Sequence, residues 1–286
     1  MKNKLFTTLF AIGITCATGY ALPVGNAADP SLLQEGIFWE SSQDTCCPTW
    51  CNAISFRLGF YGDYVYNRHM QVASSNQRSA IEETKIFTNA ALLVANFYNR
   101  LDLFATLGAS NFSIDTNASS FLLQSVMPLE GARFTIDSQT DFSWSVGARG
   151  VLWQCGCTFL GLEGQYFCTQ ADITTINLYN EYATYPDTTI WGRYREWQVG
   201  IGLAHTFYLL TPYAALKWSG CSLDFNTAIT TIELPTNVAQ LYTLDNQRSF
   251  GYALGVTLVG CDRVDITAEL RFSDEKAVHI NGQLRF

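Results

Sequence analysis

Residues 197–225 read WQVGIGLAHTFYLLTPYAALKWSGCSLDF, and the fold turns on how this stretch is read. From Val199 to Trp218 it carries no formal charge before Lys217, and an apolar run of about twenty residues is the length of a membrane-spanning helix. The run also holds Gly200, Gly202, His205, Thr206 and Pro212. Its alternation begins upstream: Trp197, Val199, Ile201, Leu203 and Phe207 share one parity, and Gln198, Gly200, Gly202, Ala204 and Thr206 share the other. A period of two is the mark of a strand, whose successive side chains point to opposite faces. The stretch therefore predicts a hairpin, with a turn at Leu209–Thr211 and a second strand from Pro212 to Phe225.

The same period recurs along the chain. Ile54, Phe56, Leu58 and Phe60 alternate with Ser55, Arg57, Gly59 and Tyr61, and Phe142, Trp144, Val146 and Ala148 with Ser143, Ser145, Gly147 and Arg149. Val264 to Phe272 and Val278 to Phe286 repeat it. Strands are predicted over 54–66, 86–98, 101–113, 141–153, 157–170, 194–208, 212–225, 248–259, 263–273 and 277–286. Short connections at 99–100, 154–156, 209–211 and 260–262 take turns with long ones at 67–85, 114–140, 171–193 and 226–247. That plan, with an even strand count, is the plan of an outer-membrane barrel with short periplasmic turns and long extracellular loops. The fold class is thus all-β, a transmembrane antiparallel β-barrel of about ten strands, with 10–16 open because the long loops could hold more. A soluble β-sandwich also alternates. Against it stand strands longer than the 5–6 residues usual in soluble sheets, aromatics near strand ends (Tyr64, Tyr66, Trp191, Tyr194, Trp197, Trp218), and a final amphipathic strand closing on Phe286, read as the assembly signal.

Composition agrees. Of 286 residues, 48% are hydrophobic, 14% aromatic and only 15% charged, where soluble domains carry about 25% charge. A mean hydropathy of +0.06 is far too low for a helical membrane protein. A net charge of −8 argues against nucleic-acid binding. Lys2 and Lys4, the apolar run Leu5–Ile14 and Gly19-Tyr20-Ala21 have the order of a secretory signal peptide. Residues 1–21 are predicted to be removed, leaving an N-terminal periplasmic segment, 22–53, and the barrel, 54–286. Within the segment, Asp29–Glu40 is expected to begin with a helix capped by Asp29 or Ser31; this stretch could lie beneath the barrel, partly plug it, or form a flexible leader.

Cysteines in an exported chain are disulfide candidates. Cys46, Cys47, Cys51, Cys155, Cys157 and Cys261 precede the first strand or sit in short turns, so all six share the periplasmic side, placed to bridge neighbouring proteins or to respond to redox state. Intramolecular stapling is the alternative. Cys168 and Cys221 lie near outer strand ends and could pair there. No zinc-ligand spacing is present, so neither metal nor cofactor is expected. No nucleophile motif surrounds His69, His205 or His279; His69 near Asp63 is the one faint catalytic pair, and an enzyme is not expected.

Three segments carry a family likeness: ALPVGNAADPSLLQEGIFWE at 21–40, TWCNAISFRLGFYGDYVYNR at 49–68, and FGYALGVTLVGCDRVDITAELRFSDEKAVHINGQLRF at 250–286. They resemble the chlamydial major outer membrane protein family, and this chain is shorter than typical members. The resemblance implies a porin of the bacterial outer membrane that passes small solutes and ions, associates as trimers, and is cross-linked through cysteines to other envelope proteins for rigidity. The alternative is a non-conducting structural or surface-interaction barrel, an adhesin or antigen. Ten strands make a narrow lumen, which side chains can fill.

Parity names the residues inside. If the apolar set faces lipid, Arg57, Asp63, Asp102, Arg149, Glu163, Lys217, Glu269, Arg271 and Arg285 face the lumen. A basic residue on the lipid side at mid-membrane would cost about 2–4 kcal/mol. These charges read either as a constriction that selects solutes or as a lumen zipped shut by ion pairs.

Overall fold

The hairpin at 191–225 forms, as two strands paired antiparallel from Ala204↔Tyr213 near the turn to Gly192↔Phe225 at the open end. In this computed structural model, residues 22–37, 53–73, 80–117, 122–125, 133–178, 181–184, 190–226, 231–233 and 237–286 are described. The signal segment 1–21 and Cys46, Cys47 and Cys51 lie outside them. The turn sits earlier than predicted, with Phe207 and Leu210 exchanging backbone bonds at 2.6 and 2.9 Å around Tyr208 and Leu209. Leu210 belongs to the second strand because it pairs with Leu258 on the far side.

Ten strands make the barrel: β1 Ile54–Arg68, β2 Glu83–Phe97, β3 Leu101–Asn117, β4 Asp141–Cys155, β5 Thr158–Leu178, β6 Trp191–His205, β7 Leu210–Phe225, β8 Phe250–Gly260, β9 Val264–Phe272 and β10 Glu275–Arg285. Each pairs antiparallel with the next, and β10 pairs with β1 from Arg285↔Arg57 to Glu275↔Arg68. The ring is closed, so every strand has two neighbours, the condition for a sheet to survive in hydrocarbon. Four short connections lie at one end, between β2–β3, β4–β5, β6–β7 and β8–β9, together with the start of β1 and the end of β10. Tyr98 and Asn99, and Cys261 and Asp262, take positive φ at two of these turns, as the two central residues of a primed turn do.

The strands run further from this end than the amphipathic pattern indicated: β3 continues to Asn117 and β5 to Leu178. Short strands in the long connections pair onto these extensions, Arg133–Ser138 between β3 and β5, Met70–Val72 through Leu244–Asn246 onto β7. None of them enters the ring, which settles at ten.

In the lower, short-turn half the outward side chains are apolar and exposed, among them Phe56, Leu58, Leu103, Ile201, Leu203, Leu216, Ile266 and Leu284. The inward ones are buried and include the charged and polar residues, alongside an apolar patch of Ala90, Leu92, Val94 and Phe104 beside Tyr61. An upper aromatic girdle closes this band: Trp144–Tyr166, Trp197–Trp218 and Tyr252–Phe272 contact at 5.1–5.8 Å between ring centres. Exposed Tyr98, Trp153, Phe207 and Tyr208 mark its lower edge. From Phe207 to Trp197 the chain climbs about 33 Å at ~3.3 Å per residue. A tilt of about 40° makes that a height of ~25 Å, the apolar band of outer-membrane barrels. The architecture is a transmembrane antiparallel β-barrel.

Above the girdle the sides exchange roles. Phe112, Ile114, Phe134, Ile136, Ile173, Ile176, Leu223 and Leu244 point inward and pack into one buried cluster. Outward, Arg133 meets Asp115 at 2.6 Å and Glu82 at 3.0 Å, and Arg195 pairs with Asp224.

Candidate functional site: a charged lumen and the strap inside it

Leu22–Leu33 threads the lumen at membrane depth. The sequence left open whether this segment lies beneath the barrel, partly plugs it or forms a leader; its described part, 22–37, leaves the lumen only at the short-turn end, where Gln34 N and Glu35 N donate to the Asp262 carbonyl at 3.1 and 3.2 Å. The wall grips the strap by its backbone. Glu196 Oε1 accepts from Leu22 N at 3.2 Å, and Lys217 donates to the Leu22 carbonyl at 2.8 Å. Gln198 donates to the Pro23 carbonyl at 2.6 Å. The Glu269 carboxylate takes Val24 N and Gly25 N at 3.1 and 2.9 Å. Lower down, Asn26 reaches Thr257 Oγ1 at 2.9 Å, Asn96 donates to the Pro30 carbonyl at 3.0 Å, and Arg285 donates to that of Leu33.

Small residues give the strap room. Gly25 has φ +66°, and a Cβ there would lie 2.5 Å from the Arg149 guanidinium. A Cβ at Gly200, inward-facing on β6, would stand 2.6 Å from the Val24 side chain. Below, Ala27, Ala28, Leu32 and Leu33 pack on Phe159, Ala204, Tyr213 and Val259. The space left between strap and wall at Gly25, Arg149 and Glu163 is about 10 Å³, room for about one water. The strap's short helix, α1 Asp29–Leu32, begins after Ala28 with no side-chain cap. Neither Asp29 nor Ser31 caps it: the Asp29 carboxylate pairs with Arg149, and Ser31 Oγ donates to the Asn99 carbonyl at 3.0 Å.

All nine charged residues assigned to the lumen by parity point inward, and they divide into two groups. In the lower group Arg57 pairs with Asp102, Arg149 with Glu163 and Asp29, and Arg285 with Leu33 and, at 3.0 Å, Asn99. In the upper group Arg271 pairs with Asp63 and lies 2.8 Å from Glu275, and Lys217 stands 3.6 Å from Glu275 and 3.8 Å from Asp274. Four members of the upper group escaped the parity reading: Arg68, Glu196, Asp274 and Glu275. Arg68 is fully buried, 3.1 Å from Glu196 and 3.2 Å from Asp274. Glu196 shares the inward parity of Gln198 and was legible; the other three lie beyond the predicted strand ends.

His279, not His69, stands beside Asp63, at 3.9 Å. His69 follows β1, where burial and the nearby Arg248 and Lys276 push its pKa down to about 4, so it is neutral near pH 7. His205 faces outward and bonds Thr158 Oγ1 at 2.7 Å beside the Phe207 ring.

Cys155, Cys157 and Cys261 are exposed, unbridged, and share the short-turn end. Cys168 and Cys221 do not pair. Their strands put them on opposite faces: Cys168 lies outward on β5, while Cys221 is buried inside, 3.3 Å from Arg68 Nε.

The profile of the Chlamydia major outer membrane protein family matches residues 1–79, 73–133, 126–191 and 231–286. The chain belongs to this family. The major outer membrane porin of Chlamydia abortus is 32% identical over an alignment of 391 positions covering all of both chains. That of Chlamydia trachomatis serovar E is 31% identical over 394. This family member is the shorter chain, with 286 residues in those alignments. As a member of the major outer membrane protein family it is a porin-like β-barrel of the outer membrane. Among solved structures, it is similar to the outer membrane protease OmpT of Escherichia coli (9% identity, TM-score 0.39, 85% of this chain and 97% of that one). It is also similar to the translocator domain of the autotransporter NalP of Neisseria meningitidis (13%, 0.40, 84% and 90%).

Proposed function

We propose that this barrel passes small solutes and ions by diffusion, and that the strap-filled state is its closed form. The observation that carries the reading is the strap's position: Leu22–Leu33 fills a lumen whose walls at membrane depth carry the buried charges Arg57, Asp102, Glu163 and Glu269, with Arg149 paired to Glu163. Withdrawal of the strap would leave walls that water wets. Ten strands enclose little more than side chains can fill, so a strap is enough to close the pore. The activity needs no cofactor and no catalytic residue.

One observation favours the second reading, a non-conducting structural or surface-presenting barrel. The apolar cluster above the girdle closes the outer mouth as well. Conductance in planar bilayers separates the two. The full mature chain is expected to show rare openings, and a chain lacking residues 22–36 at least tenfold more open time. A truncated, folded barrel that stays at the lipid background leaves only the second reading.

We extend the proposal to the envelope. Exposed Cys155, Cys157 and Cys261 support disulfide cross-links to neighbouring envelope proteins, and family membership supports association as trimers. Non-reducing gels test the first: thiol-sensitive oligomers are expected, and a thiol-independent monomer band contradicts it.

A further inference from the structure

We propose that the lumen at the height of the aromatic girdle is a binding site for an α-ammonium group, the one that signal-peptide removal creates at Leu22. The proposal concerns what holds the strap, and it rests on the strap's position rather than on conduction.

Leu22 is buried, with its nitrogen 3.2 Å from Glu196 Oε1. Its own carbonyl is held by Lys217 at 2.8 Å. The second oxygen of Glu196 accepts from the Tyr194 hydroxyl at 2.5 Å, which fixes the carboxylate in place. Residue 22 is therefore gripped on both sides of its backbone by buried side chains. Cleavage after Ala21, predicted from the small residues Gly19 and Ala21, makes Leu22 the first residue.

Charge points the same way. Around this site five buried carboxylates, Asp63, Glu196, Glu269, Asp274 and Glu275, face three buried side-chain cations, Arg68, Lys217 and Arg271. An unbalanced charge is costly to bury. An α-ammonium at Leu22 adds a fourth cation against that negative excess. It also replaces one neutral amide donor by a charged group with three N–H donors, and charge-assisted bonds are the stronger kind. A chain continuing upstream of Leu22 would keep the amide and lose the charge. Export processing thus produces the group that docks the strap.

Amine labelling of the folded, processed protein in detergent micelles tests this, with an acetyl N-hydroxysuccinimide ester at pH 7 and mass spectrometry of the N-terminal peptide. A free α-amine titrates near 8 and reacts readily there. The Leu22 amine is expected to react at least tenfold more slowly in the folded protein than after unfolding in urea, while half-exposed Lys85 changes little. Equal rates, or an N-terminus other than Leu22, overturn the proposal. Glu196→Gln is expected to restore reactivity; a folded variant with full protection overturns the assignment to Glu196. A chain with Gly-Ser added before Leu22 keeps every side chain of the site. Its strap is expected to be cut by protease at least fivefold faster than the native one, and equal rates overturn the proposal. Because no readout is electrical, its failure is separate from failure of the pore.

Discussion

The lower and upper halves of the barrel are built on the same strands with opposite polarity. On β3, Asp102, Thr106 and Ser110 point into the lower lumen, while Phe112 and Ile114 point into the upper. On β5 the inward series passes from Glu163 and Gln165 to Phe167, Ala171 and Ile173, and on β7 from Lys217 and Ser219 to Leu223 and Phe225. Backbone pairing continues through the change. What differs is the medium outside: hydrocarbon below the girdle, water above it. Apolar side chains gather where water is absent, so they cover the outside of the lower cylinder and the inside of the upper one, and the lower lumen keeps only smaller apolar patches among its polar and charged residues. The lower lumen then needs a polar filling, and the strap supplies backbone groups to carboxylates, amides and guanidinium groups that would otherwise face one another.

That contrast can be broken by charge. Ile114→Asp puts a carboxylate into the buried apolar cluster of Phe112, Phe134 and Ile136. The expected loss is more than ~4 kcal/mol, read as failure to regain heat-modifiable gel migration on refolding. Ile201→Arg, on the lipid face below the girdle, is expected to cost about 2–4 kcal/mol, measured by urea unfolding in lipid vesicles. If the two changes cost the same as a charge at a water-exposed position, the inversion is wrong.

Smaller changes sharpen the picture. Gly200→Val drives a side chain into Val24 and is expected to expel the strap, raising amide exchange at Val24 and Gly25 at least tenfold while the strands keep their protection. Above the girdle, Arg195→Gln removes an exposed ion pair with Asp224 and is expected to cost only ~0.2–1 kcal/mol, in the same urea assay. The weakest effect is set by pH. Unfolded histidine takes a proton near pH 6.5, and His69 in the fold does so only near pH 4. Between those values the unfolded chain binds more protons, so stability falls as pH drops from about 6.5 to 4. His69→Gln is expected to flatten that part of the profile.

Much of the lower half was legible. Outward Trp197, Val199, Ile201 and Leu203 and inward Gln198 and Gly200 gave the strands, the barrel and the lumen charges, because lipid on one side enforces strict alternation. The upper half was not, for a physical reason: at Phe112 and at Phe167 the apolar parity shifts, and the amphipathic signal ends although the strand does not. The 171–193 segment thus read as a loop. The Cys168–Cys221 pairing failed because nearness to a strand end says nothing about face. The strap was open in the sequence, since LPVGNAADPSLL has neither strand nor helix period; its seat was written in the wall, as inward Gly200 and Gly202, which fill no space of their own.

Hydrogen exchange of Leu22–Glu35 in the refolded barrel tests the central claim most directly. Protection of the Val24 and Gly25 amides within tenfold of that on β6 is the expected result. Complete exchange within seconds, with the strands still protected, would show an empty lumen and a loose leader, and would contradict the account.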